Sequence, residues 1–341
     1  MSLTNTIRGL FKSPMDATPP GFDDVCAAEE RVRPLARVTP FLRFEALDEA
    51  AGATVFVKCE NVQRTGSFKI RGATNRIARL GTEERMRGVV AFSSGNHAQG
   101  VAAAAKAFGA PATIVMPEDS PKVKMEGVRR LGGEIVTYDR ETESREEISA
   151  QIAAETGATL VPSFDDPDVI SGQGTAGLEI ARQALDAGGP LDALIVCAGG
   201  GGLTAGIALA LEGLSPATKI YTAEPEGFDD HMKSFDAGKI VENERRGGSI
   251  CDALLSPAPG NITFAINRKR VAGGFAISDD EALDAMAFAF RRMKLVVEPG
   301  GAAALAALLS RKPFARRSRV GVVLTGGNVD SDIYQRALAR L

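Results

Sequence analysis

Histidine and cysteine are scarce in this chain: 341 residues include two of the first and four of the second. Cys26, Cys59, Cys197 and Cys251 are far apart, form no Cys-x-x-Cys, and have no histidine at ligand spacing. That pattern excludes a zinc cage or a disulfide framework and makes reduced thiols in the cytoplasm the default. An excess of charge of either sign is also missing. Forty basic residues against 43 acidic ones give a net charge of -3 and a pI near 5.7, so no overall field draws nucleic acid or anionic lipid to the surface. The fitting partner is a small neutral or zwitterionic molecule. Residues 1–22 lack an apolar run long enough for a signal sequence and read as a loose arm. The stretch Leu194 to Leu211 carries no charge over eighteen residues, but four consecutive glycines interrupt it. Each would destabilise a helix by about 1 kcal/mol relative to alanine, so a strand, turn and helix is expected in place of a membrane span. No solenoid repeat or disordered tract is visible.

What the chain has is alternation. Apolar strand-like runs at Val55–Lys58, 88–93, Ala112–Met116, Glu134–Tyr138, Leu191–Cys197, Lys219–Glu224 and Val320–Leu324 alternate with helical segments. Most of these separations are wide enough for parallel pairing through right-handed crossovers. Phe22–Arg37 and Phe41–Ala51 read as helices, and 163–170 as a polar loop before a helix that ends near Ala187. The fold class expected is α/β, with three segments: 1–80 as the first part of a large domain, 81–166 as a small domain, and 167–341 as the second part of the large one.

Two stretches carry chemistry. In Thr65-Gly66-Ser67-Phe68-Lys69-Ile70-Arg71-Gly72-Ala73, one lysine is flanked by glycines, a hydroxyl and a ring. A lysine screened from water loses preference for its ammonium form and becomes a nucleophile towards aldehydes; the plain alternative is a solvated lysine at a helix start. The second stretch is Gly199-Gly200-Gly201-Gly202 followed by Leu203, between a strand and a helix. Its backbone amides and the positive helix end suit a phosphate. Gly200, Gly202 and Ala205 also fit G-x-G-x-x-A, with Glu224 at the end of the next strand, as a nicotinamide dinucleotide site would require. Taken alone, the second half of the chain leaves both cofactors open. A nucleophilic amine in the first half favours an aldehyde that carries a phosphate.

The combination resembles the serine/threonine dehydratase and serine racemase family of pyridoxal-phosphate enzymes, of tryptophan synthase β-like fold. The likeness runs from about Arg37 to Asp330 through Lys58-Cys59-Glu60-Asn61, the Lys69 stretch, Ser93-Ser94-Gly95-Asn96-His97-Ala98-Gln99-Gly100, Gly172-Gln173-Gly174-Thr175, the glycine loop and Thr325-Gly326-Gly327-Asn328. It implies two open, twisted, mainly parallel sheets flanked by helices, and assembly as a homodimer or homotetramer.

By the same resemblance, Lys69 would hold pyridoxal 5'-phosphate and act as the base at the substrate Cα. Phe68 would pack near the cofactor ring and Asn96 would bond its phenolic oxygen. Gly199 to Leu203 would cradle the phosphate, and Thr325 would meet the ring nitrogen. Ser93, Ser94 and His97 would bind the substrate carboxylate, Ser94 matching the hydroxyl used by racemases on the opposite face; Ser94 could equally cap a helix, and His97 could be a packed core residue. Arg145 matches an arginine near bound dicarboxylates, although a helix-face ion pair is the commoner role. Glu224, the Phe228 carbonyl and Asp230 match a site for Mg²⁺, Mn²⁺ or Ca²⁺. The activity implied first is a threonine/serine ammonia-lyase, with Glu298-Pro299-Gly300-Gly301-Ala302 as the dehydratase form of that segment. Serine racemase or 3-hydroxyaspartate dehydratase is the alternative. A nicotinamide dehydrogenase and a non-catalytic binding protein stand further off.

Overall fold

A computed structural model of the chain describes residues 18–93, 95–120, 122–139, 141–245, 247–311, 314 and 317–341. Among the described residues ten strands form two sheets: β1 (Phe41–Arg43), β2 (Thr54–Cys59), β3 (Val89–Phe92), β4 (Ala112–Pro117), β5 (Glu134–Tyr138), β6 (Thr159–Leu160), β7 (Ala193–Cys197), β8 (Lys219–Pro225), β9 (Val271–Ile277) and β10 (Arg319–Leu324). The six-stranded sheet runs β1-β2-β10-β7-β8-β9 and the four-stranded sheet β5-β4-β3-β6. Every pairing is parallel except β1 with β2. Helices cover both faces of the larger sheet, as a buried parallel sheet requires. In β2 and β7 successive side chains face opposite cores: Val55, Val57, Ile195 and Cys197 one way, Phe56, Leu194 and Val196 the other. A separate core lies under the smaller sheet, where the alanine-rich helix Asn96–Phe108 packs against Ile70, Ala73 and Ile77 of the helix Lys69–Ala78. Among the described residues, no helix is long and apolar enough to cross a membrane.

Several expectations need correction. Phe41–Arg43 is an edge strand, and only Glu45–Ala51 is helical; the Phe41 ring stacks on Phe56 at 5.2 Å, so cross-strand packing overrides the helical pattern. Residues 167–170 belong to the helix Pro167–Asp186, not to a loop. Asp166 caps it through the amides of Asp168 and Val169, with Pro167 in the first turn, where a missing N–H is harmless. Glycine is tolerated inside this helix because a β-carbon on Gly172 would lie 2.6 Å from the Arg71 carbonyl oxygen: the two helices touch backbone to backbone. The helix Asn261–Arg270, strand β9 and helix Ser331–Leu338 were not anticipated. Most of the arm expected over residues 1–22 lies outside the described residues.

Candidate active site

The predicted cofactor residues converge at the carboxyl ends of β10, β7 and β3, the edge where parallel sheets bind ligands. Lys69 opens its helix with Phe68 as the preceding cap residue. Its Nζ sits 5.3 Å from the Phe68 ring centroid and donates to the Ser163 carbonyl at 2.8 Å. Burial brings the amine down from 10.5 to about 8, against the opposing charge of Glu298. Such an amine is available as a nucleophile near neutral pH. The β10 segment runs directly beside it: the Phe68 amide donates to the Thr325 carbonyl at 3.2 Å, and Ser67 bridges Gly326. Thr325 is buried, with its hydroxyl beside the Cys197 thiol.

The glycine loop is held by its carbonyls. His231 Nε2–H donates to Gly199 O at 2.8 Å, Thr263 Oγ1 to Gly200 O at 2.7 Å, and Asn267 Nδ2 to Gly201 O at 3.2 Å. Three successive carbonyls are thus pinned just before the helix Gly202–Leu214, whose N-terminal dipole favours an anion. Gly201 has φ +88, and a β-carbon there would lie 2.5 Å from the His231 ring, so only glycine suits the turn. The donor set therefore fits a phosphate ester. His231 was not anticipated; its ring is neutral because burial lowers its pKa to about 4.

Asn96, first residue of its helix, is clamped from two sides. Its Nδ2 donates to Glu298 Oε1 at 2.5 Å and its Oδ1 accepts from Asn328 Nδ2 at 2.7 Å. One Nδ2 hydrogen stays available for a cofactor oxygen. Glu298 is a site residue that the sequence reading quoted only as part of a segment. It is 2% exposed, and burial and the charge of Asp252 raise its pKa to about 8, opposed by Lys124. An acid immediately before Pro-Gly-Gly was the available signal.

The remaining candidates divide. Ser93 Oγ accepts from the Gly95 amide at 3.2 Å, shaping the loop. Ser94 lies outside the described residues. The His97 ring turns away: buried, neutral with a pKa near 3, its Nε2–H donates to Val161 O at 2.9 Å, so what it offers a substrate is its backbone amide. Arg145 stacks over Phe92 at 5.2 Å and pairs with Glu146, its side chain 40% exposed; the structure gives it the surface ion pair. Glu224 and Asp230 come together in the interior. Glu224 Oε1 accepts the His231 amide at 2.8 Å, and Asp230 Oδ1 accepts Asn243 Nδ2 at 2.6 Å, while Asp230 Oδ2 is buried without a partner. Burial raises both acids, Asp230 to about 7. Two close carboxylates with an orphaned oxygen fit a hard cation, although no group of three or more His, Cys, Asp or Glu suited to a metal occurs among the described residues.

A cation sits at the mouth of the site. Lys124 Nζ pairs with Asp252 Oδ2 at 2.5 Å, joining a helix of the four-stranded region to the six-stranded one. Next to it opens a cavity of about 450 Å³ lined in part by Gln99, Arg130, Asn328 and Asp330.

The family described as pyridoxal-phosphate dependent enzyme matches residues 32–326. The chain is 48% identical to an L-threo-3-hydroxyaspartate ammonia-lyase of Pseudomonas sp, over 93% of this chain and 98% of that protein. It is 41% identical to a serine racemase of Schizosaccharomyces pombe, over 94% and 98%. The solved structure of maize serine racemase superposes with a TM-score of 0.88 at 38% identity, covering 95% of this chain and 98% of that one.

Proposed function

The chain belongs to the pyridoxal-phosphate dependent enzyme family, and on that premise we propose that it is a lyase that converts L-threo-3-hydroxyaspartate to oxaloacetate and ammonia. The observation that carries the substrate is the 48% identity along nearly the whole length of the Pseudomonas hydroxyaspartate enzyme. The sequence reading put threonine and serine first; the relatives support its alternative better, and the order is reversed here. Serine racemisation is a second reading, supported by the 41% identity to the S. pombe racemase.

Bound pyridoxal phosphate supplies the electron sink that acidifies the substrate Cα–H. Amides of Gly199 to Leu203 would hold the phosphate ester, and Asn96 would offer its second Nδ2 hydrogen to the phenolic oxygen. Lys69 would hold the cofactor and serve as the base for the substrate Cα proton; an amine near 8 is well matched to that task at neutral pH. Thr325 offers the ring nitrogen a neutral hydroxyl. A neutral hydroxyl would not keep a proton there as a carboxylate would, which would favour loss of the Cβ hydroxyl over transamination. The amides at the start of the helix Asn96–Phe108, with Ser93, take the α-carboxylate. In the net reaction the Cα–H and Cβ–O bonds break, one water is lost and another consumed, and the C–N bond is hydrolysed without an external oxidant. Glu224, Asp230 and the Phe228 carbonyl hold a divalent cation in this reading.

Product analysis of the holoenzyme tests it. Hydroxyaspartate should give oxaloacetate and ammonia with a higher kcat/KM than threonine or serine gives for its own keto acid. A preference for threonine, or D-serine as the main product from L-serine, would overturn it.

A further inference from the structure

We propose that Lys124 is the specificity-determining residue that receives the second carboxylate of a dicarboxylic substrate, with Asp252 as the counter-ion it exchanges. This rests on the reading of the site as one for hydroxyaspartate.

Lys124 lies against the loop that takes the α-carboxylate: its Cδ and Nζ are 3.6 and 3.7 Å from where a β-carbon on Gly95 would sit. The ion pair with Asp252 is lopsided, the lysine side chain 7% exposed and the aspartate 46%. A buried ammonium needs an anion beside it at all times, whereas a half-exposed carboxylate returns to water at little expense. The pair is therefore built for substitution on one side only. The other acids that act on Lys124 are Glu298 and Asp330. Glu298 already accepts from Asn96 and is itself raised by burial, so the exchangeable partner is Asp252. A substrate carrying hydrogen or methyl at Cβ leaves the resting pair intact and gains nothing from it. One carrying a carboxylate replaces Asp252 and gains a charge-assisted bond. Arg145, a second cation near this loop, has a side chain 40% exposed and already pairs with Glu146.

The experiment uses holoenzyme of the wild type and of Lys124→Met, Lys124→Arg, Asp252→Asn and Arg145→Met. It reads the ratio of kcat/KM for L-threo-3-hydroxyaspartate over L-serine, and inhibition by succinate against acetate. In Lys124→Met the ratio should fall by roughly 10- to 100-fold, with succinate inhibition weakened as much and acetate inhibition little moved. Lys124→Arg should recover most of the ratio. Asp252→Asn removes the competitor and should tighten succinate, a change of opposite sign that a merely structural pair would not produce. Arg145→Met should shift the ratio less than Lys124→Met. Equal losses for both substrates in Lys124→Met, weaker succinate binding in Asp252→Asn, or no succinate inhibition of the wild type would each overturn the assignment. If the wild type prefers serine or threonine while succinate inhibition still depends on Lys124, the proposed activity fails and this assignment stands.

Discussion

Lys69 and Arg71 lie two residues apart on one helix, yet one faces the candidate active site and the other a closed charge cluster. Arg71 donates to both oxygens of Glu60 at 2.8 Å and to both oxygens of Glu179 at 2.7 and 2.9 Å, and Lys58 adds its own bond to Glu179 at 2.5 Å. Burial acts to lower the guanidinium and to raise Glu60, but the opposed charges outweigh it, so Arg71 ends raised and Glu60 lowered. For Lys58 burial prevails and its pKa is lowered. Around Lys69 the same residue types are left without full partners. The amine falls to about 8 and Glu298 rises to about 8. Saturated charges hold the fold together; unsaturated ones are set aside for chemistry.

The sharpest way to break this contrast is Lys69→Ala. Turnover should fall by roughly 10⁴-fold or more, with loss of the visible absorption of lysine-bound cofactor and little change in thermal unfolding. Retained absorption would show that another group holds the aldehyde. Arg71→Met should do the opposite: a loss of about 3–5 kcal/mol in denaturant unfolding, because the buried Glu60 loses its cation and Glu179 keeps only Lys58. A loss near zero would remove the cluster from any structural role.

Glu298→Gln sharpens the comparison through pH. The Glu298 carboxyl is raised in the folded protein, so its contribution to stability is present at low pH and is lost as pH rises from about 4.5 to about 8. Relative to wild-type apoenzyme, the variant should therefore gain on the order of 2–4 kcal/mol across that window, measured by denaturant unfolding at several pH values. A pH-independent difference would mean that Glu298 keeps its charge. The smallest expected effect is at Glu224 and Asp230. Millimolar Mg²⁺ should raise the unfolding midpoint by a few degrees, through roughly 1–2 kcal/mol of binding, and chelation should reverse it. Asp230→Asn should abolish the response; an unaltered response would place the cation elsewhere.

Legibility followed locality. Lys69 and the glycine loop stood out because each needs particular neighbours in sequence, small residues for close approach and, for the loop, a strand before and a helix after; Asn96 and Thr325 were marked by the family resemblance. Glu298, Lys124, Asp252 and His231 did not, since their meaning comes from partners far along the chain, 202 residues away for Glu298 and Asn96 and 128 for Lys124 and Asp252. His97 and Arg145 carried the expected identities, but their side chains point to Val161 and Glu146, which no local pattern records. The edge strand Phe41–Arg43 was hidden for the same reason, its preference decided by the Phe56 ring.

By itself the sequence determined the alternation of strands and helices and the glycine turn between strand and helix, because periodicity and glycine act over a few residues. Only the tertiary structure decided which buried charges are neutralised. That depends on how close two distant side chains come and how much water is shut out between them, and both are set by the packing of one sheet region against the other.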